Sequence, residues 1–207
     1  MKNLLNVHKK KELNIDIGVR CTLLCHDCAR TTMVKKGEKP PGKDITLEQF
    51  DKISNFFADT CIHFCGWWSD PIFNPNFIDM LKMCKDKGID VVVHTAASHK
   101  PESWYIKAFE AYPNALWRFG IDGIPRKSHI YRKNQDGVKL FNMMLLAKSM
   151  GVPVEWQYIV FSYNKDTKDK ALKNANKNNI PILFIETTRK QNIENSLKQR
   201  TFSKWRN

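Results

Sequence analysis

The sequence lacks several features, and each absence excludes a class of protein. No apolar run approaches the roughly 20 residues needed to cross a bilayer, so no membrane-spanning helix is expected. The first residues lack the long apolar core of a signal peptide, so we expect a cytoplasmic protein. Low-complexity tracts and charged linkers are also missing. In a chain of 207 residues we therefore expect one well-buried domain rather than two.

Acidic residues are few relative to basic ones. Asp and Glu number 21 against 34 Lys and Arg, which gives a formal net charge of +13. This balance favours an anionic partner such as RNA, a nucleotide or an acidic peptide. The lysines are spread through the chain, however, and scattered lysines usually form a solvated surface. The charge alone therefore assigns no partner.

Three cysteines fall at ligand spacing in one short loop. Cys21, Cys25 and Cys28 follow an apolar alternating segment at residues 13–19 that is typical of a strand. In a chain without an export signal, such cysteines are better explained as metal ligands than as disulfides. Most iron–sulfur clusters and structural zinc sites have four protein ligands, so a set of three leaves one position open. An external ligand can reach a metal at that position.

The other three cysteines are not clustered in the sequence. Cys61 and Cys65 alternate along a predicted strand, and Cys84 lies on a predicted helix. Free cysteine is among the most buried residue types, so we expect these three to be packed as small hydrophobic side chains.

Strand and helix patterns alternate along the chain. Strands are predicted at residues 13–19, 61–65, 89–93, 115–121, 154–161 and 182–185. Helices are predicted from Thr46 to 57 and at 76–87, 101–111, 136–150 and 166–178, and the Lys-, Gly- and Pro-rich stretch at 29–44 is predicted to be a loop. Short links between these elements call for parallel β/α units. A closed eight-unit barrel needs about 250 residues, so six units predict an open, partial (β/α)6 barrel resembling a TIM barrel.

A loop of this cysteine spacing after the first strand of such a barrel resembles the cluster-binding loop of the radical S-adenosylmethionine (radical SAM) enzymes. The resemblance implies a [4Fe-4S] cluster held by Cys21, Cys25 and Cys28, with SAM on the fourth iron. It further implies that the reduced cluster splits SAM and that the resulting 5′-deoxyadenosyl radical abstracts hydrogen from a substrate. A flavodoxin- or ferredoxin-like protein would supply the electron. The resemblance covers residues 13–186, between a basic extension at 1–12 and a basic tail at 187–207.

Segments at the ends of later strands also resemble parts of this family. The stretch from Gly66 to Pro71 is similar to the family's Gly-Gly-Glu-Pro segment, with Asp in place of Glu and Ser in place of a Gly. By resemblance, the expected SAM contacts are Gly66, Ser69, Asp70, Thr95, Asp122, Gln157 and Asn164. One departure is Asp27, because many members have an aromatic residue there that stacks on adenine. No residue is assigned to the chemistry on the substrate.

The substrate is less constrained than the cofactors. The fourth and fifth strand ends are similar to those of the peptide-modifying, SPASM-type branch, although the C-terminal domain with auxiliary clusters is not expected here. A peptide or protein side chain is one expected substrate, and RNA or a nucleotide is the alternative that the charge favours.

Two other interpretations of the sequence remain open. One is a non-enzymatic zinc module, in which His26 or His63 completes the three-cysteine set and the basic surface binds nucleic acid. The other is a degenerate barrel that binds cluster and SAM without doing chemistry.

Overall fold

The structure is a computed structural model that describes residues 11–57 and 59–187. The predicted basic extension and basic tail therefore lie almost entirely outside the described residues. Within the described part of the chain, no helix combines the length and the apolar character that crossing a membrane requires.

The elements alternate as the sequence predicts. The strands are β1 (Lys11–Ile15), β2 (Thr60–Phe64), β3 (Val91–Thr95), β4 (Leu116–Gly120), β5 (Val154–Val160) and β6 (Ile182–Glu186). The α-helices are α1 (Ala29–Lys35), α2 (Leu47–Phe56), α3 (Phe77–Asp86), α4 (Glu102–Ala111), α5 (Gly137–Ser149) and α6 (Lys168–Lys177). Short 3-10 turns lie at Pro71–Phe73, Pro125–Ile130 and Lys165–Thr167.

The six strands form one parallel sheet in the order β1-β2-β3-β4-β5-β6. Within the described residues β1 is not hydrogen-bonded to β6, so the barrel is open. The predicted partial (β/α)6 barrel is confirmed. In such a sheet the carboxyl ends of all strands meet at one edge, where ligands bind.

Two local predictions need correction. The first strand ends at Ile15 rather than at residue 19, because the Asp16 side chain accepts hydrogen bonds from the segment after β2 and the chain leaves the ladder there. Residues 29–35 are helical, not part of a loop. The Gly and Pro residues that oppose a helix begin only at Gly37, beyond the end of α1.

The start of α2 confirms the predicted cap. Thr46 Oγ1 accepts from the Gln49 backbone N–H at 3.2 Å, and Gln49 Oε1 accepts from the Thr46 N–H at 3.0 Å. This reciprocal arrangement satisfies two backbone donors at the helix start, which stabilises α2 at the position where the sequence predicts it.

The main hydrophobic core lies between the outer face of the sheet and the helices. Trp117 of β4 is fully buried there and packs against Phe109 of α4, with ring centroids 4.9 Å apart. Phe77 of α3 meets Phe64 of β2 edge-on at 5.3 Å. These aromatic contacts hold the helices against the sheet and leave its inner face free for other residues.

Among the described residues, the inner face carries one small cluster of buried apolar side chains, which consists of Cys61, Val92 and Leu116. It lies near the amino-terminal ends of β2, β3 and β4. Toward the carboxyl ends, the same face carries polar side chains that form the floor of a cavity.

Candidate functional site

A cavity of about 390 Å³ opens at the carboxyl ends of the strands. Its walls come from the loop after β1, the segment after β2, and the ends of β3 to β6. Its lining includes Cys21, Cys25, Cys28, Cys65, Gly66, Ser69, Asp70, His94, Thr95, Arg118, Gly120, Arg132 and Gln157. The three loop cysteines and five of the seven predicted SAM contacts therefore share one cavity.

The cysteine loop connects β1 to α1 and is fixed by the segment that follows β4. Its backbone N–H groups at Leu24 and His26 donate to the carbonyl oxygens of Lys133 and Tyr131, at 3.1 and 3.2 Å. Asp27 adopts a left-handed backbone with φ of 56°, a conformation that Asp tolerates better than most residues. These constraints hold the three thiols along one wall of the cavity.

The three loop thiols are free and half-buried. Burial raises the pKa of Cys21 to about 12 and that of Cys25 to about 11. Both groups are therefore protonated at neutral pH unless a cation replaces the proton. A donor set of three such thiols suits an iron–sulfur cluster, which binds thiolates in preference to oxygen ligands.

A single metal ion fits the site less well than a cluster. Among the described residues, no group of three or more His, Cys, Asp or Glu side chains converges on a point where one ion would sit. A cluster differs because each thiolate binds its own iron, so the sulfurs need not converge. His26 and His63, the fourth ligands considered for zinc, do not line the cavity. His63 instead lies on β2 with Nδ1 3.2 Å from His94 Nε2.

The segment after β2 is shaped by Asp16, a residue that the sequence reasoning missed. Asp16 Oδ2 accepts from the Trp68 N–H at 2.7 Å, and Oδ1 accepts from Ser69 Oγ at 2.6 Å. A Cβ at Gly66 would collide with the Ser69 carbonyl oxygen and lie 2.7 Å from Asp16 Oδ1. Only glycine fits there, so the backbone turns tightly beside the cavity.

Asp70 lines the cavity, and its carboxylate is already hydrogen-bonded within the protein. It is 6% exposed, and its carboxylate accepts from Thr95 Oγ1 at 2.9 Å and from the N–H groups of Ala96 and Ala97 at 2.8 and 2.9 Å. Burial raises the pKa of Asp70, against these hydrogen bonds, which lower it. The Asp70 carboxylate thus connects the end of β2 to the end of β3 through hydrogen bonds, and one of these bonds uses the Thr95 hydroxyl.

Two of the predicted SAM contacts do not line the cavity. Asn164 is 1% exposed, and its side chain is bonded to the backbone of Phe161 and Ile159. Asp122 is fully buried, accepts from the Ile159 N–H at 2.9 Å and pairs with Arg132 at 2.8 Å. Asn164 therefore shapes the turn after β5, and Asp122 acts on the cavity through Arg132.

Arg132 is a second residue that the sequence reasoning missed. It lies in the loop between β4 and α5, where its positive charge lies beside Cys25 and partly offsets the rise in the Cys25 pKa that burial causes. A Cβ at Gly120 would lie 2.9 Å from Arg132 Nη2, so this glycine leaves room for the guanidinium. The only signal in the sequence was an Arg 12 residues beyond β4, which is too weak to select it.

The inner face of the sheet forms the floor of the cavity with a polar row. The Arg118 guanidinium of β4 pairs with Glu155 of β5, and His94 of β3 contacts Gln157 as well as His63. Burial, with Arg118 and His63 nearby, lowers the pKa of His94 to about 3. At neutral pH the row therefore contains one ion pair and an uncharged His94.

The remaining cysteines divide into two groups. Cys61 and Cys84 are fully buried, as predicted. Cys65 is half-buried and lines the cavity just beyond the end of β2, so the expectation of packing in the core was wrong for this residue. Burial raises the pKa of its thiol.

Solved structures share this arrangement of elements. The structure of anSMEcpe with bound AdoMet is similar with a TM-score of 0.70 and 16% identity, over 94% of this chain and 60% of that one. SuiB of Streptococcus suis, bound to the precursor peptide SuiA, is similar with a TM-score of 0.72 and 10% identity, over 98% of this chain and 50% of that one. Methylornithine synthase (PylB) is similar with a TM-score of 0.66 and 13% identity, over 88% of this chain and 55% of that one. All three are radical SAM enzymes. The fold of this chain is that of the radical SAM core.

The fold is what these similarities establish, since the sequence identities are low. The chain spans about half the length of the structures it matches. No protein-family model matches the chain, and no curated protein matches it in sequence. Within this fold, the cysteine loop and the segment from Gly66 to Asp70 lie at the carboxyl edge of neighbouring strands.

Proposed function

We propose that this chain is a radical SAM enzyme whose three loop cysteines bind a [4Fe-4S] cluster. The observation that carries the proposal is the common position of Cys21, Cys25 and Cys28 on one wall of the cavity, in a barrel of the radical SAM type. Three protein thiols would leave one position of the cluster for SAM. When bound and reduced, the cluster would supply one electron that splits SAM into methionine and a 5′-deoxyadenosyl radical, which would take hydrogen from a substrate.

The protein's part is to bind and orient the cofactor. The Ser69 hydroxyl donates to Asp16, and its lone pairs and the carbonyl oxygens of this segment are acceptors for the SAM ammonium group. Arg132, beside Cys25, offers guanidinium donors to the SAM carboxylate. Asp70 and Asp122 hold these groups in place, and Gln157 lines the cavity from β5.

For the substrate we favour a peptide side chain. Two of the similar structures were solved with peptides, anSMEcpe with the Cp18Cys peptide and SuiB with its precursor SuiA. The net charge of +13 favours an anionic substrate and keeps RNA or a nucleotide as the alternative. A flavodoxin- or ferredoxin-like donor would deliver the electron. The free thiols suit a reducing compartment, so we place the enzyme in the cytoplasm.

The proposal is tested by anaerobic reconstitution with iron and sulfide, followed by addition of SAM and dithionite. We expect a brown protein with about four irons per chain that releases 5′-deoxyadenosine. Changing any one of the loop cysteines to Ala should abolish both the iron uptake and the release of 5′-deoxyadenosine. Cys61→Ala, a buried thiol outside the cavity, is the matched control that should retain iron.

Two outcomes would contradict the proposal. Stoichiometric zinc without iron uptake would indicate the zinc module. Full cluster assembly with SAM cleavage at background would indicate a barrel that binds cofactors without chemistry.

A further inference from the structure

Two arginines enter the cavity at different depths. Arg132 lies over Gly120, at the carboxyl end of β4, and contacts Cys25. Arg118 is two residues earlier on β4, which places its backbone about 6–7 Å deeper in the barrel. Burial raises the pKa of Cys65, which lies on the wall just beyond β2, and the Arg118 charge partly offsets that rise. Arg132 therefore lies beside the cysteine loop, whereas Arg118 forms part of the cavity floor.

The Arg118 guanidinium has N–H donors that are not used within the protein. Its Nε pairs with Glu155, and the side chain is 14% exposed where it lines the cavity. Among the described residues, no hydrogen-bond acceptor is bonded to its two terminal nitrogens. A guanidinium offers five N–H donors in a rigid fork, so four remain when Nε is paired. A buried ion pair of this kind leaves one side of the fork open to the cavity.

The neighbours of Arg118 set the kind of group that fits. Glu155 balances the Arg118 charge, and His94 is uncharged at neutral pH, so the floor carries no net positive charge. Gln157 lines the same floor and can donate from its amide. A planar group with two oxygens matches the open side of the fork. A dianionic phosphate would add two uncompensated charges to this floor, whereas a carboxylate adds one, which the open guanidinium donors and the Gln157 amide can hydrogen-bond.

We infer that the cavity floor at Arg118 and Gln157 is a subsite for a substrate carboxylate, in the first place the side chain of an Asp or Glu residue in a peptide. This rests on the proposed function, in which the cavity holds a substrate. The carboxylate would bind the terminal guanidinium nitrogens, with Glu155 holding the guanidinium from its other side. The rest of the peptide would leave through the mouth of the cavity, where Trp67 is 77% exposed.

The inference is tested by calorimetry with defined peptides. The probes are capped acetyl-Gly-Ala-Glu-Ala-Gly-amide, the same peptide with Gln in place of Glu, and the Gln peptide with a free C-terminal carboxylate. Each is titrated into the full chain reconstituted anaerobically and saturated with SAM, and into the chain as purified. We expect the Glu peptide to bind about tenfold more tightly than the capped Gln peptide, the scale of a charge-assisted hydrogen bond.

Two variants connect the effect to Arg118. Glu155→Gln removes the competing carboxylate and should tighten binding of the Glu peptide several-fold. The double variant Arg118→Gln with Glu155→Gln removes the donor fork without leaving a buried charge, and should bind the Glu and Gln peptides equally. Thermal melts of both variants establish that the fold is kept.

The outcomes separate this inference from the proposed function. Absence of discrimination by the wild-type chain, or a Glu preference that survives in the double variant, would overturn the subsite. If the free C-terminus binds more tightly than the Glu side chain, the subsite is supported and its carboxylate is a chain end. The chain as purified reports on the subsite even if no cluster assembles, whereas 5′-deoxyadenosine release by the wild type reports on the proposed function alone.

Discussion

The two faces of the sheet are made by the same strands but differ in chemistry, and β4 shows the difference in five residues. Trp117 and Phe119 point outward into the helix-covered core, where both are fully buried. Leu116, Arg118 and Gly120 point inward, and the last two line the cavity. The period of two lets one strand stabilise the fold with one face and build a site with the other.

The contrast also explains why the barrel interior is not filled. Closed eight-stranded barrels are packed inside with bulky branched side chains. Here, among the described residues, the inner face has one small cluster of buried apolar side chains. Beyond it lie the ion pair of Arg118 and Glu155 and the pair of His63 and His94. Stability must come mainly from the outer face, whereas the inner face is available for cofactor and substrate.

The largest expected effect is on the outer face. Trp117→Ala should lower the free energy of unfolding by about 3–5 kcal/mol, because it empties a site enclosed by Phe77, Tyr105 and Phe109. Urea denaturation followed by circular dichroism measures the loss. The control is Trp67→Ala, which removes a 77% exposed ring and should change the free energy by less than about 0.5 kcal/mol. Equal losses would show that the outer core does not dominate stability.

A smaller effect is expected where the two faces meet, at Asp70. Asp70→Ala leaves the N–H groups of Ala96 and Ala97 and the Thr95 hydroxyl without their acceptor. We expect a loss of about 2–3 kcal/mol, because unsatisfied buried donors are costly. Asp70→Asn, which keeps one oxygen acceptor, should lose less. If both variants unfold at the wild-type urea concentration, Asp70 does not connect β2 to β3 in the way described.

The third prediction concerns the pH dependence that the inner face adds. His94, which faces His63, Arg118 and Gln157, has its folded-state pKa lowered from 6.5 to about 3. The unfolded chain therefore binds a proton near pH 6.5 that the folded chain does not, so stability falls as the pH falls through this range. The contribution is about 1 kcal/mol between pH 6.5 and 5.5.

His94→Gln is the matched variant for this effect. Urea midpoints at pH 7.5, 6.5 and 5.5 should fall less steeply for the variant than for the wild type. Parallel slopes would show that His94 takes up its proton in the folded state.

The smallest expected effect on stability is at Gln157. Gln157→Ala removes a half-buried inner-face amide and should cost less than about 1 kcal/mol. Because Gln157 lines the cavity beside Arg118, the same change should weaken binding of the Glu peptide several-fold, measured by calorimetry. A large loss of stability with unchanged binding would reverse the roles assigned to the two faces.

The helices and strands follow from the sequence more completely than the site does. The alternation of helices and strands, the cap at Thr46 and the open barrel follow from local patterns, and the structure contains them. The cysteine loop was found because its ligands are close together in the chain. Asp16 and Arg132 were missed because their partners are distant in sequence. Asp16 binds Trp68 and Ser69, more than 50 residues away, and Arg132 meets Cys25 from the far side of the barrel.

The sequence by itself determined the fold class and the three-thiol donor set, since hydrophobic period, turn residues and ligand spacing are local properties. The tertiary structure decided which polar side chains face the cavity with open hydrogen-bonding groups and which are already hydrogen-bonded within the protein. Asp70, Asp122 and Asn164 resemble ligand-binding residues in the sequence, yet their buried oxygens are occupied by backbone donors and by Arg132. Arg118 gave no signal in the sequence, yet the pairing of β4 with β5 places it beside Glu155 with donors open to the cavity. A buried polar group must find its partner somewhere in the fold, and only the folded chain shows where that partner lies.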